Sequence, residues 1–162
     1  MRQVAELETV LASLIGEHEK LLKQLDAQSA AMKVLDSRAM DDARQAQESI
    51  RHRIASLEMR RKLLVQQVAL ALKLDATTTM VKLADALPAF KTKLLDLRSK
   101  LRELIQQVSS RAQVSGRIAG AVLGHLNTVV RLIAGAVEQA GVYTKTGSPK
   151  VSGRIGVLEA VG

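Results

Sequence analysis

The chain has 162 residues, of which 47% are hydrophobic and 1% aromatic, with no cysteine and a formal net charge of +8. This length predicts one domain with enough apolar surface for a core. The lack of cysteine excludes a disulfide framework and a thiolate metal site.

The first predicted element is a long helix whose apolar residues recur at alternating spacings of three and four. They are Val4, Leu7, Leu11, Leu14, Leu21, Leu25, Met32 and Leu35. This spacing places them along one helix face, which predicts a seam that packs against another helix. His18 occupies a position in that seam. We expect a histidine packed in or near the helix interface.

A second helix is predicted to begin after Asp36 and Ser37, because either side chain can cap a helix N-terminus. Asp41 and Asp42 are expected in its first turn, where the helix dipole stabilises negatively charged carboxylates. Its apolar residues again recur at helical spacing: Met40, Ala43, Ile50, Ile54, Leu57, Leu64, Val68 and Leu72. The two helices, each of roughly 35 residues and about 50 Å, are therefore predicted to form an antiparallel hairpin.

Residues 75–79 end the second helix, because three consecutive threonines favour a cap or a turn over a helix interior. A short helix is predicted next, and Pro88 either ends it or opens the following one. Its apolar face consists of Met80, Leu83, Ala84 and Leu87.

From Phe90 an apolar series predicts a third long helix of about 70 Å, either continuous or broken near Ser109 and Ser110. Its members are Leu94, Leu97, Leu101, Ile105, Val108, Ala112, Ala119, Val122, Leu126, Val129, Ile133 and Val137. Three glycines recur in it every four residues, at a cost of about 1 kcal/mol each relative to alanine. They are Gly116, Gly120 and Gly124. Two interpretations stay open: close helix packing inside the bundle, and a malleable groove that a partner helix completes.

Residues 141–162 are rich in glycine and have no helical period, which predicts a flexible C-terminal tail. The expected fold is all-α, with a long antiparallel hairpin and a long C-terminal helix in an elongated helical bundle or coiled coil. We expect one helical bundle domain over residues 1–140, followed by the tail.

No catalytic residue, metal site or cofactor is expected. The three histidines lie on separate segments without a second ligand one helical turn away, and no triad signature or phosphate loop is recognisable. Acidic residues interrupt the first apolar stretch, unlike a signal peptide, and the uncharged stretch 118–130 is too short to cross a bilayer. We therefore expect a cytoplasmic protein without a membrane span.

Basic residues cluster on the second predicted helix, at Arg51, Arg53, Arg60, Arg61 and Lys62. Such a cluster is more typical of a solvated helix face than of a nucleic-acid site, because no aromatic side chains are interleaved with it. No specific nucleic acid is expected as a partner.

Short segments along nearly the whole chain carry a resemblance to a known family. In the first hairpin they are Ala31-Met32-Lys33, Leu35-Asp36, Met40-Asp41, Gln47-Glu48, Ile50, Ile54 and Leu57-Glu58-Met59-Arg60-Arg61. Further along they are Leu83-Ala84 and residues 97–104, 125–133 and 143–147. In this order they resemble the FlgN family of flagellar export chaperones.

The resemblance implies an all-helical cytoplasmic chaperone that holds hook-filament junction proteins before their export through the flagellar type III apparatus. It also implies that the C-terminal region grips a C-terminal helical segment of the client. Engagement of export apparatus components is left open. The residues expected to bind the client are Gly120, Val122, Gly124, Leu126, Val129, Val130 and Ile133.

Two alternatives to a chaperone stay open at this point. One is a structural coiled-coil or adaptor protein that forms homo-oligomers through the seam of the first helix. The other is a basic nucleic-acid-associated protein, which the net charge permits without predicting any base-specific contact.

Overall fold

The computed structural model describes residues 2–75 and 77–141, with side chains through Gly135. Within this part the chain forms four helices: α1 (Arg2–Lys33), α2 (Ser37–Ala71), α3 (Met80–Asp85) and α4 (Lys91–Gly141). No strand occurs among the described residues, and the predicted all-α class is confirmed. The predicted tail lies outside the described residues except for Gly141, which ends α4.

The chain divides into two compact units, one comprising Met1–Ala119 and the other beginning at Gly120. α4 contributes residues to both units and is one continuous helix of 51 residues. Of the two expected arrangements, the unbroken helix is therefore correct, and Ser109 and Ser110 lie inside it. The single domain over residues 1–140 stays a prediction.

The hairpin of α1 and α2 is antiparallel, as predicted. Ion pairs join Glu6 to Arg60 and Glu17 to Arg53, so residue numbers rise along α1 as they fall along α2. Glu17 is nearly buried, and its carboxylate accepts hydrogen bonds from Lys20 at 2.6 Å and from Arg53 at 2.8 Å. These bonds, the one from Lys20 foremost, lower the pKa of Glu17 although burial acts to raise it.

The first part of α4 packs alongside α1 in the parallel direction. The Lys93 ammonium lies 2.6 Å from the Glu8 carboxylate, and the Arg111 guanidinium lies 3.5 Å from Asp26. Residue numbers therefore rise together along the two helices. The first unit is an up-down-up bundle of α1, α2 and the start of α4, with the short α3 in the connection.

The core of the first unit is formed by leucines from α1, α3 and α4 together with aliphatic side chains of α2. Its fully buried large side chains are Leu7, Leu11, Leu14, Leu83 and Leu94. The predicted seam of α1 is correct for every member except Leu35, which is 53% exposed. In α4, Leu104 is buried although the predicted apolar series did not include it, and Ile105, a member of that series, is 46% exposed.

The predicted helix caps are present in the connections. Asp36 caps α2, since its carboxylate accepts a hydrogen bond from the Ala39 amide at 3.0 Å. Thr79 caps α3 in the same way through the Lys82 amide, at 3.4 Å. The first turn of α2 contains no acidic residue, so the placement of Asp41 and Asp42 there was wrong. Pro88 lies between α3 and α4 and belongs to neither helix.

Leu35 leaves the seam because it ends α1 in the left-handed region, with φ of 56°. The Asp36 amide donates to the Ala31 carbonyl at 3.0 Å, and the Leu35 amide donates to Met32 at 3.2 Å. These two bonds form a Schellman motif, whose left-handed position is usually occupied by glycine. A leucine there is strained, because its Cβ crowds the carbonyl oxygen that follows it.

Replacing Leu35 by glycine is therefore expected to stabilise the first unit by about 0.5–1 kcal/mol, since the relieved strain exceeds the added freedom of the unfolded chain. Urea denaturation followed by circular dichroism measures this change. Leu70→Gly is the control: Leu70 is also exposed but lies inside α2, so that variant should lose about 1 kcal/mol. Equal destabilisation of both variants would contradict the left-handed assignment.

Candidate functional site

The second unit exposes a set of large apolar side chains along α4. Between 36% and 69% of each side chain is accessible for Leu123, Leu126, Val129, Val130, Leu132 and Ile133. No residue from Gly120 to Gly135 is buried. Apolar surface left in water forgoes about 25 cal/mol per Å², and exposed patches of this kind usually mark an interaction site.

Four of the predicted client-binding residues form a regular stripe on this helix. Val122, Leu126, Val129 and Ile133 follow one another at spacings of four, three and four residues. Helical geometry therefore brings them onto one face, with Val130 on its flank. Val122 is half-buried, and the others are exposed. This is the anchor pattern of a helix that receives another amphipathic helix.

The glycines lie elsewhere on α4. At about 100° per residue, Gly124 is about 160° from Leu126 around the helix axis. A Cβ added at Gly116, Gly120 or Gly124 would meet nothing within 4 Å. For Gly116, in the first unit, close packing against another described helix was therefore a wrong interpretation. Client contact by Gly120 and Gly124 stays a prediction, and each glycine weakens the helix by about 1 kcal/mol relative to alanine.

Two further apolar residues belong to this surface and were missed by the seam analysis. Leu123 and Leu132 are 67% and 69% exposed. They fall outside the spacing of three and four that defines the stripe, so periodicity assigned them no partner. The available signal was the dense apolar composition of residues 118–137, which exceeds what one narrow seam needs.

The surface is also free of negative charge. No aspartate or glutamate occurs between Glu103 and Glu138, whereas Arg111, Arg117 and Arg131 do occur there. Around the helix axis Arg131 lies on the side away from the stripe, about 140° from Leu126. The arrangement suits an apolar partner helix whose polar flanks are neutral or acidic.

The predicted basic cluster on α2 is largely engaged in the hairpin itself. Arg53 pairs with Glu17, and Arg60 pairs with Glu6. Arg61 pairs with Glu58 one turn away, at 2.8 Å. These pairs favour a structural role for the cluster over nucleic-acid binding, because paired guanidinium groups have less charge to offer to phosphates.

Within the described part of the chain, the histidines show no arrangement for catalysis or metal binding. His18 is buried in the helix interface, as predicted, and its Nδ1 lies 2.8 Å from the Leu14 carbonyl oxygen, to which it donates. His52 lies exposed on α2, 3.2 Å from Glu48. Among the described residues, no group of three or more histidine or acidic side chains could hold a metal ion.

One stretch of α4 is apolar enough to cross a membrane by length and composition alone. An 18-residue window within Lys91–Gly135 has a mean hydropathy of 1.4, and none of it is buried. The uncharged stretch 118–130, from which we predicted that no segment crosses a bilayer, is shorter than this window because it ends before Arg131. Composition of this kind is weak support for a span, and an arginine such as Arg131 within the bilayer would be costly.

The comparisons with known proteins give one match. A family model described as FlgN protein matches residues 1–150. The matched region contains all four helices and the whole apolar stripe. No curated protein and no solved structure shows a significant match to the chain.

Proposed function

The chain belongs to the FlgN family of flagellar export chaperones, and we propose on this basis that it binds hook-filament junction proteins and holds them unassembled before export. The observation that carries the proposal is the exposed apolar stripe of α4. We place the protein in the cytoplasm, where such clients are made, and assign it no catalytic role.

The stripe explains how a chaperone of this kind could work without a catalytic group. A client helix laid along Val122, Leu126, Val129 and Ile133 would bury its own apolar face together with theirs. That client face would then be unavailable for assembly with other client molecules. Contact with export apparatus components stays a prediction, to which we assign no residues.

The two alternative functions have less support from the described residues. The seam of α1 is covered by α2 and α4 within one chain, so it is not available for homo-oligomers. The basic cluster of α2 is mostly engaged in ion pairs, which disfavours a nucleic-acid partner.

The test is a calorimetric titration of the chain with a purified hook-filament junction protein. Ile133→Glu is expected to weaken binding at least about hundredfold, because it would bury an unpaired carboxylate in the interface. Its melting temperature should stay within a few degrees of the parent chain, since Ile133 is exposed in the free protein.

Leu63→Glu is the matched control for this titration. Leu63 lies on α2 and is 57% exposed, whereas Ile133 is 59% exposed, so the two substitutions differ in position rather than in burial. The control should bind the client like the parent chain. If Leu63→Glu weakens binding and Ile133→Glu does not, the client site belongs on the hairpin.

A further inference from the structure

The apolar side chains of α4 cover about half of the helix circumference in both units. In the first unit, those that pack in the core extend from Leu104 through Leu94 to Leu95, over about 180° at about 100° per residue. In the second unit the exposed apolar side chains extend from Leu132 to Leu123, also over about 180°. The stripe through Val122 and Ile133 lies near the middle of this arc.

The first unit shows how many helices an arc of this width engages. Leu94, Leu101 and Leu104 belong to one core cluster with side chains from two long helices, and Leu95 packs against it. From α1 the cluster includes Leu7 and Leu11, and from α2 Leu64 and Val68. Two long helices thus pack on an arc of about 180°, whereas the a and d seam of a two-stranded coiled coil is narrower.

Leu123 and Leu132 mark the two edges of the wide arc. They lie on opposite sides of α4, nine residues and about 180° apart around the axis. Their exposures are 67% and 69%, so both need a partner to the same degree. A single docked helix would cover one edge or the centre and would leave a leucine in water.

The rest of the helix surface is not apolar. Asn127, Thr128 and Arg131 lie on the other side of α4, together with the glycines. A helix with one polar side is not enclosed all around, as a membrane-spanning helix in lipid or a fully buried core helix would be. The partner therefore has to cover about half of the circumference.

From the width of this arc we infer that the client binds as a pair of helices of one client molecule, one on each side of the line through Val122 and Ile133. This inference rests on the proposed function. The absence of acidic residues between Glu103 and Glu138 favours a helix pair whose polar flanks are neutral or acidic.

The test compares the two edges in the full chain, with a purified full-length hook-filament junction protein as the probe. Leu123→Ala and Leu132→Ala should each weaken binding at least about tenfold, because each removes most of a leucine side chain from the interface. Alanine favours helix, so the loss would not come from unfolding of α4. Asn127→Ala and Thr128→Ala are the controls and should bind within about twofold of the parent chain.

The outcomes separate this inference from the proposed function. If only one edge variant loses affinity, the client is a single helix, and the inference fails while the chaperone function stands. If the parent chain does not bind the junction protein, the proposed function fails.

Sedimentation of the free chain and of the complex completes the test. The expected complex contains one chaperone and one client, and a complex with two clients would overturn the inference. A stable oligomer of the free chain that the client fails to dissociate would show that further copies cover the arc.

Flotation with vesicles of phosphatidylcholine and phosphatidylglycerol tests whether a membrane surface covers the arc instead of a client. Edge variants that lose vesicle binding but keep client binding would likewise overturn the inference.

Discussion

Leu14→Asp is expected to remove most of the stability of the first unit at room temperature. Leu14 is fully buried where α1 meets the rest of the core. The substitution removes the burial of a leucine and places an unpaired carboxylate in an apolar environment, at a combined cost of several kcal/mol. A small domain has only about 5–15 kcal/mol of stability in total, so most of it would be lost. Circular dichroism with thermal and urea denaturation measures the effect.

Two variants on α2 test whether the loss of stability follows the burial of the substituted side chain. Leu57 is half-buried against the core, so the carboxylate of Leu57→Asp can reach water and the loss should be smaller. Leu70 is largely exposed, and Leu70→Asp should change stability by less than about 1 kcal/mol. If Leu14→Asp melted at the temperature of the parent chain, Leu14 would face solvent and α1 would pack in a different register.

The sequence was sufficient to predict the hairpin because both of its helices carry one apolar seam. The caps followed as well, since Asp36 and Thr79 are residue types with a short side chain that can accept a backbone amide bond. Leu35 was misassigned because its apolar side chain fits the seam spacing. Its backbone conformation depends on the turn into α2, which periodicity does not describe.

The same limit applies to the apolar series of α4. Leu104 and Ile105 are adjacent in the sequence and both apolar, so spacing alone allows either one to face the core. The positions of α1 and α2 decide the choice, and they select Leu104. Spacing likewise identified the stripe from Val122 to Ile133 but not its edges, because Leu123 and Leu132 become informative only when their exposure is known.

The glycines of α4 show that spacing predicts which residues share a helix face but not what that face packs against. Their spacing of four residues placed Gly116, Gly120 and Gly124 on one face, which is correct for any helix. Whether that face packs closely against a neighbour depends on the tertiary structure, and a Cβ at each position meets open space. Their established consequence is a helix of lower intrinsic stability.

The hydrogen bond between Ser29 and Ser115 decides where a shortened chain that lacks the stripe should end. Ser115 is buried, and its hydroxyl accepts a hydrogen bond from Ser29 at 3.2 Å. A chain that ended at Ser110 would lose this contact and the ion pair of Arg111. A chain ending at Ala119 keeps both and matches the boundary of the first unit.

The central claim is that client binding depends on the second unit, and the chain ending at Ala119 tests it most directly. Titrated with the hook-filament junction protein, this chain should show no measurable binding while keeping the helical circular dichroism and the melting temperature of a folded first unit. The full chain, titrated in parallel, should bind. Binding of the shortened chain as tight as that of the full chain would contradict the claim and place the client site on α1, α2 or α3.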